Sequence, residues 1–136
     1  MRRQFALILV LLCVLTLAAC GGKTDIALIA LDDSTLYSEE ELLDAVDVVM
    51  DTFQRGYGDC TLLNVEYDEE FSLERAEGWA QQYGAEEVVI LLTDFYVGMD
   101  AMAVGPMNPG GTCSNYQWIL SRNNGGRWTL QDRGYG

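Results

Sequence analysis

Val88-Val89-Ile90-Leu91-Leu92-Thr93-Asp94-Phe95-Tyr96-Val97 is the stretch around which the rest of the chain must arrange itself. It is almost continuously apolar, rich in β-branched and aromatic residues, and bounded by Gly84 and Gly98. A run of that length without alternation predicts a central strand covered on much of both faces. Its one charged residue reads two ways. A buried Asp94 would have a raised pKa and could serve as a general acid or base. Alternatively it faces solvent or bonds a neighbour such as Arg122 or Arg127.

The segments before this strand alternate helix and strand signals. Ser38-Glu39-Glu40-Glu41 is a capping box with Ser38 as N-cap and Glu41 at N3, and Tyr37 can staple onto Leu42. Leu42, Val46, Val49, Met50 and Phe53 then recur at helical spacing, which predicts an amphipathic helix of about four turns ending near Gly56 or Gly58. Cys60 to Tyr67 carries strand formers on alternate positions and reads as an edge strand. Ser72 can cap a second helix through Tyr83, with Trp79, Ala80 and Tyr83 as its apolar face and Gly84 as its stop.

Beyond the central strand, Gly98 to Ser114 holds both prolines and Met99, Met102 and Met107, with no clear period, and reads as a long loop. Such loops are often functional. Tyr116–Arg122 and Arg127–Arg133 flank Asn123-Asn124-Gly125-Gly126, residues that accept the positive φ of a tight hairpin turn. Trp118 and Leu120 share one face, as do Trp128 and Leu130. The expected fold is therefore α+β, an antiparallel four-stranded sheet with two helices packed on one face, in the order α-β-α-β-β-β.

The N-terminus says where this domain works. Arg2 and Arg3 precede an apolar run from Phe5 to Leu17, and Leu17-Ala18-Ala19-Cys20 leads into Gly21-Gly22. A basic end, a short apolar core and small residues at the cut are the marks of a secretory signal peptide. The apolar core is about 15 residues, short of the roughly 20 that cross a bilayer. The junction resembles the lipobox of bacterial lipoproteins. That resemblance implies a diacylglycerol thioether on Cys20, which becomes the mature N-terminus, and two acyl chains suffice for stable anchoring. The chain divides accordingly into a signal peptide (1–19), a lipid-anchored tether and lead-in segment (20–36), and a globular domain (37–136). The expected location is the extracytoplasmic face of the cell membrane.

Removal of residues 1–19 leaves 117 residues, enough for one core. Six basic residues then face 21 acidic ones, a net charge of −15. So acidic a surface repels phosphate backbones, and nucleic acid is excluded as an expected partner. The charge would attract cations or a basic protein, or simply keep a tethered domain soluble. The chain has no histidine, which removes Ser-His-Asp and Cys-His pairs and histidine-ligated metals. With Cys13 cleaved and Cys20 acylated, Cys60 and Cys113 remain. In an oxidising compartment they form one disulfide closing a loop of roughly 54 residues, worth about 4 kcal/mol, or else stay as free, buried thiols.

The succession of helix, strand, helix, long strand and hairpin, closing on Trp118-Ile119-Leu120 and Gly126-Arg127-Trp128-Thr129-Leu130-Gln131-Asp132, resembles a family of small extracytoplasmic α+β lipoproteins of Gram-positive bacteria with no assigned activity. The ending, continued by Gly134-Tyr135, is also similar to the last strand of cystatin-like or NTF2-like folds, in which a curled antiparallel sheet wraps a long helix. The resemblance spans Ser38 to Tyr135 and implies buried aromatics and a turn, with no catalytic residue to carry over.

Other constellations are sparse. Asp32-Asp33 and Asp68-Glu69-Glu70 could bind a hard cation through carboxylate oxygens, or form a solvated helix start, and neither has EF-hand spacing. Trp79, Phe95, Tyr96, Trp118 and Trp128 could line a pocket, or be core. No phosphate loop, zinc spacing or nucleotide fingerprint is present, so neither cofactor nor metal is expected. The leading expectation is a non-enzymatic surface lipoprotein. It would bind a small ligand or a protein through the sheet face of Trp118 and Trp128, or through the loop of Met99, Met102 and Met107. Behind it stand an inhibitor or accessory subunit of an envelope complex and an enzyme working with carboxylates alone.

Overall fold

A computed structural model describes residues 21–101 and 108–135. The signal peptide, Cys20, Met102 and Met107 lie outside the described residues. The element order is β1 (Leu28–Leu31), α1 (Glu39–Gly56), β2 (Cys60–Tyr67), α2 (Glu69–Tyr83), β3 (Glu87–Val97), β4 (Thr112–Arg122) and β5 (Thr129–Gly134). The chain is α+β, built on a single five-stranded sheet in the order β1-β2-β3-β4-β5. β2 to β5 form the antiparallel meander, while β1 joins β2 in parallel with Leu28 opposite Asn64 and Leu31 opposite Tyr67. The sheet is thus mixed and has five strands where four antiparallel ones were expected. β2, expected at the edge, is interior because the apolar run before Asp32 takes that position.

The helices do not share a face. Val89, Leu91 and Phe95 of β3 pack in one buried cluster with Leu42, Val46, Val49 and Phe53 of α1. Val88 and Ile90, which point the opposite way on the same strand, pack with Phe71, Trp79, Ala80 and Tyr83 of α2. Successive strand side chains alternate faces, so a strand apolar at every position needs one cover on each side. That is the physical reason for correcting the one-faced arrangement.

Local capping follows the sequence for α1. Ser38 Oγ accepts from the Glu41 N–H and the Glu41 carboxylate accepts from the Ser38 N–H, the reciprocal capping box. α2 begins four residues earlier than a Ser72 cap would place it, at Glu69 with Asp68 as its N-cap. Asp68 Oδ1 accepts from the Phe71 N–H at 3.1 Å, and Gly84 ends the helix at φ 61°. Ser72 instead lies buried inside α2, where its Oγ accepts from the Ile90 N–H at 3.0 Å. β2 ends at Tyr67, so this part of β3 has lost its neighbouring strand and Ser72 stands in for the missing acceptor.

The hairpin turn is as read. Asn124 and Gly125 both have positive φ (56° and 64°), and the Gly126 N–H donates to the Asn123 carbonyl at 3.0 Å, the geometry of a type I′ turn. Asn123 Oδ1 and the Glu86 carboxylate brace it through the Glu86 and Asn124 N–H groups.

Candidate functional site

The expected sites resolve one by one. Trp118 is fully buried and Trp128 nearly so, both beneath α1, so the sheet face they line is core and not a free binding surface. Phe95 is buried with them, while Trp79 stacks on Tyr83 in the second core at 5.7 Å. Met99 is strongly exposed at the start of the long loop. The stems of that loop are ordered. The Gly98 and Asp100 N–H groups donate to the Asp59 carbonyl and carboxylate, each at 2.8 Å, and the Gly110 N–H donates to the Val97 carbonyl. Thr112 to Ser114, read as loop, are the first residues of β4.

Cys60 and Cys113 are free and buried. Cys60 lies opposite Val97 and Cys113 opposite Phe95, on the two strands that flank β3. Two strand spacings, about 9.6 Å, exceed the Cα separation of about 7 Å that a disulfide spans. Burial pushes both thiols above the ordinary cysteine range, and Cys113 lies 2.8 Å from the Tyr135 hydroxyl.

Among the described residues Asp94 pairs with Asn64 and Asn115 and with no arginine. Its Oδ1 accepts from the Asn115 N–H at 2.8 Å and its Oδ2 from Asn64 Nδ2 at 2.9 Å, while Asn64 Oδ1 accepts from the Asp94 N–H. These bonds sit where register slips between Leu62 and Asn64 on one side and between Thr93 and Phe95 on the other. Asn115 carries φ 56° there. Asp94 thus closes two adjacent β-bulges, whose unpaired backbone groups would otherwise lack partners.

Arg122 belongs elsewhere. Its guanidinium binds Glu87 through Nε at 2.5 Å and Glu41 through a terminal nitrogen, stacks over Trp128 at 4.3 Å, and is almost wholly buried. Burial opposes its charge, but its hydrogen bonds to Glu87 and Glu41 outweigh that and raise its pKa. The Trp128 indole N–H donates to the Glu41 carbonyl at 2.9 Å, and Tyr37 meets Trp128 edge-on at 5.6 Å. This clasp joins the first turn of α1 to β3, β4 and the hairpin.

Tyr37 leads to a surface concavity. An open groove of about 660 Å³ lies between β1 and the first turn of α1, lined by Ile29, Leu31, Asp32, Asp33, Ser34, Tyr37, Ser38, Glu39, Leu42 and Leu43. Its lining mixes apolar side chains with hydroxyls and three carboxylates, Asp32, Asp33 and Glu39, and holds no cation. Of the acidic residues expected near a cation, Asp32 and Asp68 bond the first turn of α2, and Glu69 ties the segment before α1 to it. Asp32 Oδ2 accepts from the Glu69 N–H at 3.1 Å, and the Glu69 carboxylate accepts from Ser34 Oγ and the Thr35 N–H. Carboxylates at a helix N-terminus satisfy its orphan donors and its dipole. Among the described residues no three acidic or cysteine side chains gather as for a metal ion.

β1 forms one wall of this groove and, among the described residues, has no strand on its outer side. Leu28 is 73% exposed, Ile26 59% and Ile29 45%. The Asp32 N–H donates inward to the Tyr67 carbonyl at 3.0 Å. Backbone groups alternate along a strand, so those of Ile29 and Leu31 point outward to the open edge. Ile26 to Leu31 is a short apolar run inside the segment expected as a tether and lead-in, but the groove depends on α1 folding back across it, which no local pattern announces. Among the described residues, no helix is long and apolar enough to cross a membrane. No family model matches the chain, and no curated protein or solved structure matches it.

Proposed function

We propose that this chain is a lipid-anchored, extracytoplasmic, non-enzymatic binding module that captures an extended basic segment of an envelope protein along β1. Its membership of the small Gram-positive lipoproteins it resembles is part of the same reading. One observation carries it: an edge strand with outward N–H and C=O groups at Ile29 and Leu31 forms the wall of a groove lined by both aliphatic side chains and carboxylates. Adding a strand to an open edge gives affinity through main-chain hydrogen bonds, and the flanking groove gives side-chain selectivity. Exposed apolar edges template aggregation and are blunted by shortness, charge or proline. β1 has only four residues, and it carries neither charge nor proline within Leu28–Leu31. Asp33 and Glu39, with a domain charge of −15, select a cationic segment and speed its arrival.

The test uses a synthetic peptide of alternating valine and lysine, followed by fluorescence anisotropy. Saturable binding that weakens with salt is expected, and an alternating valine and glutamate peptide should not bind. Ile29→Pro removes an outward N–H that has no internal partner and should abolish binding without unfolding the domain. Equal binding to wild type and Ile29→Pro would refute the edge as the site. Anchoring is checked separately, since Cys20→Ala should leave the protein unlipidated and outside the membrane fraction.

A further inference from the structure

The segment expected as a tether is part of the fold. The Gly22 N–H donates to the Gln54 carbonyl at 3.1 Å, meeting one of the orphan acceptors at the end of α1. The Lys23 N–H donates to the Cys60 carbonyl and the Lys23 carbonyl accepts from the Leu62 N–H, at 2.9 and 2.8 Å, so Lys23 bridges in parallel to Thr61. Thr24 is buried and its Oγ1 accepts from Gln54 Nε2 at 2.6 Å. The approach is close enough to require glycine. A Cβ on Gly21 would lie 2.1 Å from the Gln54 carbonyl oxygen, and one on Gly22 would lie 2.4 Å from the Phe53 carbonyl oxygen and 2.7 Å from its ring.

We infer that the domain is seated directly on the bilayer, without a tether, with the end formed by Gly21–Lys23, the last turn of α1 and the Gly98–Asp100 turn facing the lipid. This rests on the Cys20 anchoring proposed above. Consecutive Cα atoms are about 3.8 Å apart, so a diacylglycerol on Cys20 begins one residue from a chain already fixed to α1 and β2. Exposed Met99 and Lys23 lie at this end, as do Asp59 and Asp100. The seat is therefore imposed by covalent geometry and not by charge attraction.

The orientation has a consequence for the groove. β1 runs parallel to β2 from the Lys23–Thr61 bridge to the Leu31–Tyr67 pair. Six residues of strand separate those positions on β2, about 20 Å at about 3.3 Å each. The anchor holds one end of the sheet on the membrane and the groove at the other end, facing away from it. A partner segment is thus met at a fixed height and in a fixed direction.

The experiment takes the full lipidated chain, reconstituted into phosphatidylcholine and phosphatidylglycerol vesicles that carry nitroxide headgroups. A fluorophore is placed through Met99→Cys or, separately, Glu39→Cys, the native thiols being buried. Strong quenching at position 99 and its absence at position 39 is the expected result, and equal quenching at both would overturn the seating. A flexible glycine-serine insertion between Cys20 and Gly21, which leaves every contact of the domain intact, should abolish the difference. If the difference survives the insertion, the docked segment does not set the orientation and the inference fails. Mass spectrometry of the N-terminal peptide separates the two readings. An unmodified Cys20 removes the anchoring itself, whereas a lipidated Cys20 with equal quenching removes only the seating.

Discussion

Arg122→Met tests the clasp that holds the groove wall. The guanidinium makes charge-assisted hydrogen bonds to Glu87 and Glu41 and stacks over Trp128, with only 8% of its side chain exposed. Hydrogen bonds to charged groups contribute about 1.5–3 kcal/mol each, but both carboxylates are about one-third exposed, so water recovers part of that loss. Methionine keeps most of the contact with Trp128 and forfeits a cation–π term of about 0.5–1 kcal/mol. The net cost is about 2–4 kcal/mol, a fall of roughly 1–2 M in the urea midpoint at an unchanged slope. Peptide binding should weaken with it, because Tyr37 belongs to both the clasp and the groove. The effect depends on pH. Glu41 is held below the ordinary glutamate range, first by the Ser38 backbone N–H and then by Arg122. A depressed carboxyl contributes stability above its unfolded pKa and loses it as pH falls through its folded one. The gap between wild type and variant should therefore shrink across that acid window. Arg122→Lys should recover only part of the loss, since one ammonium cannot reproduce the fork. A loss below about 1 kcal/mol, typical of exposed ion pairs, would show that the clasp is a surface feature and refute the reasoning.

Three further outcomes follow from the same geometry. Gly125→Val forces a β-branched residue to φ 64° in open space and should cost about 1–2 kcal/mol, against a few tenths for Gly125→Asn, both read by thermal unfolding. Asp94→Ala strands the Asn115 N–H and should destabilise by about 1–3 kcal/mol, whereas Asp94→Asn should retain part of the bulge bonding. Cys60 and Cys113, buried and with raised pKa values, should resist Ellman's reagent in the native protein and titrate as two thiols in urea. Two fast-reacting native thiols, or none in urea, would contradict the structure.

What the sequence made legible was local. The capping box at Ser38, the helical spacing from Leu42 to Phe53 and the Asn-Asn-Gly-Gly turn each draw on neighbours within a few residues, and each stands where it was read. What it hid was pairing. Val88 to Leu92 is apolar at every position, which requires two covers, yet nothing local says which helix supplies which. Only the separation of Val89 and Leu91 from Val88 and Ile90 into two clusters decides it. Asp94 looked anomalous because its partners, Asn64 and Asn115, lie 30 and 21 positions away, and its role exists only once register slips on both neighbouring strands. Arg122 was read against the wrong carboxylate for the same reason, since Glu41 is 81 positions distant. The groove combines both kinds of information. Leu28–Leu31 was visible as an apolar run, but its exposure is meaningful only because Lys23 and Leu31 fix it to β2 at both ends while its outer side stays open. A segment pinned at two points cannot retract its apolar edge from water, which is why the proposed function buries it under a partner strand, and Ile29→Pro is the substitution that separates this account from one in which the edge is merely tolerated.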